Sequence, residues 1–258
     1  MAGRKRTVKR RKPAGIKKPH GSKFCIERVE SGIPGLDKLI EGGFVKNSSN
    51  IIAGQTGTGK TIFCCQYILR GLQNGEPGVY LTLEQQEDDI ITDMARFGWD
   101  KEFRQAIEQK KFLLLSEFPS SIEQLRTTAF NAIRQIGAKR FVLDSLSIAA
   151  MGVQDGNAAK TRREIFDFIR TLKKTGVTAL LITEIPEGDK GTLSRFGFEE
   201  FVSDSVIVLR YFEYAAGGNP RSMSIRKMRR TSHSTNVSSM DIKKDGIKIL
   251  PLKKGIIV

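Results

Sequence analysis

Between residues 49 and 184 the hydrophobic pattern switches repeatedly between two periods. Short, nearly unbroken apolar runs alternate with longer stretches in which apolar residues recur every three or four positions. The runs Ser49–Ala53, Val79–Leu83, Arg140–Leu143 and Val177–Ile182 have strand length and little polar alternation, which predicts strands buried on both faces. Lys111–Leu115 is a further strand. Helical spacing predicts helices over Ile62–Leu72, Asp88–Phe97, Asp100–Gln109, Ser121–Ile136 and Asn157–Lys174. A short helix carrying Leu36, Leu39 and Ile40 precedes them. From Val202 onward the pattern changes. Ser205–Phe212, Ser222–Met228, Ser238–Ile242 and Ile247–Leu250 all read as strands, with no helix between them. The expectation is an α/β fold: a mainly parallel sheet flanked by helices, extended by antiparallel C-terminal strands. No internal repeat is visible.

Composition narrows the class. The chain has 258 residues, the size of one large domain or two small ones, and 39% apolar content suffices for a full core. No apolar run reaches membrane length, and the basic N-terminus lacks the apolar segment of a secretory leader. Cys25, Cys64 and Cys65 make no disulfide framework, so a reducing, cytoplasmic location is expected.

Charge is the unusual global feature. The formal net charge is +15. Residues 1–23 hold Arg4, Lys5, Arg6, Lys9, Arg10, Arg11, Lys12, Lys17, Lys18 and Lys23 and no acid; the remainder has 33 basic and 28 acidic residues, a net of +5. So few apolar side chains cannot offset the entropy of ordering, which predicts a disordered tail over 1–23. Three readings of it stand open: a polycation for nucleic-acid phosphates, a solubilising extension, or a contact with an anionic membrane.

One stretch carries chemistry. Gly54-Gln55-Thr56-Gly57-Thr58-Gly59-Lys60-Thr61 matches G-x-x-x-x-G-K-[ST], between a predicted strand and a predicted helix. Glycines let main-chain N–H groups wrap a triphosphate. Lys60 brings a point charge to the phosphates, and the Thr61 hydroxyl suits Mg²⁺. The following helix aims its positive end at the same place. ATP and Mg²⁺ are the expected ligands.

Partners of Lys60 should lie at the carboxyl ends of neighbouring strands. Asp144 follows an apolar strand and suits Mg²⁺ held through a water; the alternative is a strand-end turn residue. Glu84 follows another and suits a general base; the alternative is an acid capping the next helix. Thr183-Glu184 either senses the terminal phosphate or only pairs with a neighbouring strand. Lys227 and Arg229, within Arg226–Arg230, form a basic strand edge as suited to nucleic acid as to ATP.

Several further blocks accompany the loop: Gly32-Ile33-Pro34-Gly35-Leu36-Asp37, Val79–Glu84, Leu143-Asp144-Ser145, Arg195–Asp204 and Lys227–His233. With them, residues 26–249 resemble the RecA superfamily of phosphate-loop ATPases. Within it the chain is similar to the KaiC-like branch, close to single-domain archaeal paralogues of the RadA recombinase. The resemblance implies one ATPase domain over 24–258 and a homo-oligomer, a hexameric ring with ATP between protomers. It implies Glu84 as the first of a catalytic glutamate pair, the second being Gln85 here. It also implies that Lys227 and Arg229 reach the neighbour's terminal phosphate, with His233 at the family's spacing. Glu200 and Phe201 occupy the places of the clock autokinase's phosphoacceptor pair, which points to hydrolysis rather than autokinase activity.

RecA relatives bind DNA through two loops, corresponding here to about 151–163 and 186–197. They carry Lys160, Arg162, Arg163, Lys190 and Arg195, with Phe196 as a stacking candidate. Ordinary surface charge explains these residues equally well. The separate DNA-binding domain of full recombinases is absent ahead of the core, and the tail is the candidate substitute. Two functions follow as expectations. One is a single-strand DNA-binding ATPase assisting recombination or repair, with a RadA-type recombinase as partner. The other is a nucleotide-gated signalling scaffold, and Gln85 also leaves open a binding module with little turnover.

Overall fold

The computed structural model describes residues 25–151, 158–186, 199–211 and 221–250. The tail over 1–23, Lys190, Arg195 and Phe196 lie outside the described residues.

A small ribbon of β1 (Arg28–Val29) and β2 (Phe44–Val45) brackets α1 (Leu36–Leu39). Then come β3 (Ser49–Gly54), α2 (Lys60–Gln73), β4 (Gly78–Thr82), α3 (Glu87–Ala95), α4 (Asp100–Glu108) and β5 (Phe112–Ser116). They are followed by α5 (Ile122–Ile136), β6 (Arg140–Asp144), α6 (Leu146–Met151), α7 (Ala158–Leu172) and β7 (Thr178–Glu184). The last elements are α8 (Glu199–Val202), β8 (Ser205–Tyr211), β9 (Arg221–Met228), β10 (Ser238–Lys243) and β11 (Gly246–Leu250).

Nine of these strands form one sheet in the order β11-β10-β9-β8-β3-β7-β6-β4-β5. Period-two alternation sorts each central strand between two cores. Ile52, Val142, Leu180 and Ile182 pack under α2, α3 and α4, while Ile51, Ala53, Phe141, Leu143 and Leu181 pack under α5, α6 and α7. Both faces are therefore apolar, which is why the runs carry no polar alternation. Local signals set the helix ends. Ser121 caps α5 by accepting from the Gln124 N–H at 3.1 Å, and Gly137 ends it at φ 61°.

Two features correct the sequence reading. β8 was expected to open the antiparallel part, but it runs parallel to β3, pairing Asn50 with Ser205 and Gly54 with Leu209. The chain returns to the amino end of the sheet before β8 starts, where Asp204 N–H donates to Ser49 C=O at 2.7 Å. Antiparallel pairing begins only at β9. Short elements were also missed: β1, β2 and α6 are too brief to show a period.

Candidate functional site

The loop from Gly54 to Thr61 joins β3 to α2 at the carboxyl end of the sheet. Thr58 closes it, donating through its N–H (3.3 Å) and hydroxyl (2.7 Å) to the Gln55 carbonyl. Gly54 is required by packing: a Cβ there would stand 2.7 Å from Thr58 Oγ1 and 2.8 Å from the Leu209 oxygen. Gly59 is required by conformation, because it caps α2 at φ 102°. The first turn of α2 contains no acid, so its positive end is left for an anion.

Lys60 folds back over this loop and donates to the carbonyls of Gly54 and Gln55, both at 3.0 Å. Burial pushes its ammonium pKa down, against the upward pull of Glu184, Asp144 and Glu84. A terminal phosphate arriving here would replace two carbonyl acceptors with a full negative charge.

Asp144 ends β6 and is 4% exposed. Its Oδ2 accepts from the hydroxyls of Thr61 at 2.9 Å and Tyr80 at 2.6 Å. Burial pushes its carboxyl up to about 6; Glu84 adds to the rise, and Tyr80, Thr61 and Lys60 oppose it. A carboxylate so poorly solvated beside a hydroxyl is a hard-oxygen pair in need of a cation, and it fits Mg²⁺. Among the described residues no cluster of three or more His, Cys, Asp or Glu could hold a metal alone. The reading of Asp144 as a plain turn residue does not account for its two hydroxyl partners.

Glu84 lies exposed beyond β4, two residues before Gln86, which holds the N-cap position of α3 without a side-chain cap bond. The N–H groups of Glu84 and Gln85 both donate to Thr82 Oγ1, at 3.2 and 3.0 Å, in a turn that carries Glu84 over the cleft. The cleft measures about 480 Å³ and is lined by Lys60, Thr61, Glu84, Asp144 and Glu184, with Met94 and Arg96 from the α3 side. Gln85 donates to Asp93 Oδ2 at 3.4 Å. Thr183 is wholly buried and pairs with Ala53, whereas Glu184 pairs with Gly54 and also lines the cleft. Of that pair only Glu184 belongs to the site.

Lys227 and Arg229 are not at this cleft. Leu209 pairs with Gly54 on one side and Met223 on the other. Lys227 is thus four residues further along β9, roughly 13 Å away, and Arg229 roughly 20 Å away, at about 3.3 Å per residue. They project from the amino end of β3 and β8. There Lys227 Nζ donates to the Ser203 carbonyl at 2.7 Å, and Arg229 donates to the Phe201 carbonyl at 3.2 Å. His233 is half-buried in the turn after β9, its Nδ1 3.0 Å from the Ser234 oxygen.

The sequence reading did not single out three residues near the loop. Tyr80 holds Asp144. The Arg221 guanidinium lies 5.4 Å from the Tyr211 ring centroid and donates to the Gly57 carbonyl at 3.4 Å. Only the long-range register of β8 and β9 brings this pair to the loop. Of the basic residues expected to meet DNA, Lys160, Arg162 and Arg163 are exposed on α7.

The sequence profile of the KaiC ATPase family matches residues 29–254. The circadian clock oscillator protein KaiC of Prochlorococcus marinus subsp. pastoris is 36% identical over 241 residues, covering 89% of this chain and 46% of that protein. The circadian clock protein KaiC3 of Synechocystis sp. is 34% identical over 239 residues, covering 88% and 46%. The chain therefore spans about half the length of these relatives. A crystal structure of a KaiC-like protein from the archaeon Pyrococcus horikoshii OT3 superposes with a TM-score of 0.79 at 38% identity, over 88% of this chain and all of that one.

Proposed function

The chain belongs to the KaiC family of ATPases, and we propose that it binds and hydrolyses Mg-ATP at a site shared between two protomers of a homo-oligomeric ring. The loop of one protomer supplies Lys60, Thr61, Asp144 and Glu84, and the next supplies Lys227 and Arg229. The observation that carries this reading is the placement of those two cations. They stand at the opposite end of the sheet from their own loop, too far to serve it, which supports a role at the loop of another copy.

In this reading the α2 amides and Lys60 hold the β- and γ-phosphates. Thr61 and Asp144 would hold Mg²⁺, which would supply charge neutralisation for the phosphates. Glu84, 60 residues from Asp144 in sequence but lining the same cleft, takes the proton of the attacking water. Arg229 stabilises charge on the transferred phosphoryl group from across the interface. Lys60→Ala should abolish nucleotide binding. Arg229→Ala should leave binding and ring assembly intact while turnover falls about 10³-fold. Unchanged turnover in an intact Arg229→Ala ring overturns the shared site.

The same ATPase has two candidate uses. DNA binding is supported by the ten cations of residues 1–23 and by exposed Arg162 and Arg163 on α7. A nucleotide-gated scaffold is supported by the relatives, whose names are those of clock proteins. Salt-dependent binding of single-stranded DNA separates the two.

A further inference from the structure

We propose that Asp204 is the positioning residue for the cations presented to the neighbouring protomer. This rests on the shared-site reading above and adds to it the residue that sets where Lys227, Arg229 and Arg230 stand.

Asp204 sits between α8 and β8 with its side chain only 6% exposed. It grips the first residue of β3 twice. Its N–H donates to the Ser49 carbonyl at 2.7 Å, and its Oδ2 accepts from the Ser49 N–H at 3.0 Å. Its carboxylate also meets Lys173, just beyond α7, at 2.7 and 2.8 Å, and Arg230 at 3.6 Å. Its carbonyl accepts from the Arg229 N–H at 2.8 Å.

The residues just before it hold the other cations. Lys227 Nζ ends on the Ser203 carbonyl and Arg229 on the Phe201 carbonyl. The corner 201–204 therefore fixes two cationic side chains by their tips and the Arg229 main chain at its root. Asp204 fixes that corner to β3. Sheet pairing alone would not need a charge here, since Ser205 already enters register with Asn50 and Met228. A nearly buried carboxylate facing Lys173 and Arg230 is costly to desolvate, and a well-packed neutral residue would serve a purely structural role as well. What the carboxylate adds is an ionic link from Lys173 to Arg230, the residue next to Arg229, at the corner whose main chain holds Arg229.

A mixed-ring experiment tests this. Asp204→Asn keeps the shape and removes the charge. Rings of this variant should assemble and bind a fluorescent ATP analogue within about twofold of the parent, while turnover falls about tenfold or more. Co-expression with Lys60→Ala should then restore activity. The Lys60→Ala protomer lacks a working loop but offers intact cations to the loop of an Asp204→Asn neighbour. In a random equal mixture about a quarter of the sites are so composed, and about a quarter of the parent rate is expected. A lesion that merely loosened the fold would not be repaired by a neighbour.

Arg229→Ala mixed with Lys60→Ala is the control. If that mixture recovers and the Asp204→Asn mixture does not, Asp204 has no such role. If neither recovers, the shared-site reading fails and takes the proposal with it. Parent-level turnover of Asp204→Asn rings also overturns it. Should Asp204→Asn fail to assemble, Lys173→Met removes one partner of the same carboxylate. About threefold slower turnover that rises, counted per Lys173→Met loop in the same equal mixture, to about two thirds of the parent rate supports the role, and no change overturns it.

Discussion

Tyr80 on β4 donates its hydroxyl hydrogen bond to Oδ2 of Asp144 on β6 at 2.6 Å. The phenol is wholly buried, and burial pushes its pKa well up, so it remains a donor. Thr61 donates to the same oxygen at 2.9 Å. When the Thr61 hydroxyl turns to a metal ion, Tyr80 is left to hold the carboxylate in place. Support of this kind is typically worth tenfold or more in metal affinity. Tyr80→Phe removes one oxygen and no packing. It should weaken Mg²⁺-dependent nucleotide binding about tenfold while Mg²⁺-independent binding changes little. Equal Mg²⁺ titrations for the two proteins would remove Tyr80 from the site.

The same carboxyl predicts a pH dependence of unusual sign. Its pKa is raised to about 6 in the fold from an ordinary 3.8. Between these values the folded chain carries a proton that the unfolded chain does not. Stability of the nucleotide-free protein from this group is therefore gained as pH falls and lost as pH rises through 6, by at most about 1.4 kcal/mol per pH unit. Asp144→Asn should stabilise the free protein more at pH 7 than at pH 5, measured by urea unfolding. Mg-ATP needs the ionised form, so its affinity should fall below pH 6. A stability difference between Asp144→Asn and parent that does not vary with pH would contradict the assignment.

These two predictions divide what the sequence disclosed from what it did not. Asp144 was legible because a run of Phe, Val and Leu ended in an acid, and local pattern suffices for that. Tyr80 was not, because it is one apolar position among five in β4, and only the β4–β6 register sets its hydroxyl against the carboxylate. The same limit hid the Tyr211–Arg221 pair. Helices and strands with a clear period were found within about two residues, as is usual where the pattern is strong. The orientation of β8 was misread because strands without helices between them suggest hairpins, and its parallel pairing with β3 cannot be read from periodicity. Glu84 reads from sequence as base or helix cap, and the structure adds that α3 starts three residues later, at Glu87.

Arg140 offers a test of the scaffold beneath the site. Its side chain is 0% exposed. It donates to Glu76 at 2.7 Å, to the Tyr67 carbonyl of α2 at 2.7 Å and to the Glu30 carbonyl at 2.9 Å, and lies 4.4 Å from the Tyr67 ring centroid. It thus cross-links β6, the phosphate-loop helix and the segment after β1. Removing one partner of a buried ion pair costs about 3–5 kcal/mol; Glu76 is a third exposed, so about 2 kcal/mol is expected for Glu76→Ala. Gly71→Ala should also destabilise, because a Cβ there would stand 2.3 Å from Arg140 Cδ. Urea midpoints check both, and an unshifted Glu76→Ala midpoint would mean that the guanidinium finds other acceptors.

The tail separates the two uses of the ATPase by electrostatics. Binding of a polycation to single-stranded DNA releases about 0.7 counterion per phosphate neutralised. If all ten cations of residues 1–23 engage, log K falls with log salt at a slope of about −7. A fourfold rise in salt then weakens binding about 10⁴-fold. Deleting residues 1–23 should remove most of that slope. The cations exposed on α7, such as Arg162 and Arg163, would supply what remains, and Arg162→Glu with Arg163→Glu should reduce it by a further one to two in the deleted protein, an estimate on the same basis. ATP turnover should be unaffected by the deletion, since the cleft and the Lys227–Arg229 face lie outside the deleted residues. Fluorescence anisotropy with labelled oligonucleotides across a salt series measures both slopes. If the full chain shows no binding at low salt, the DNA reading falls and the scaffold reading stands. If binding survives the deletion with an unchanged slope, the DNA contact lies within residues 24–258 rather than the tail.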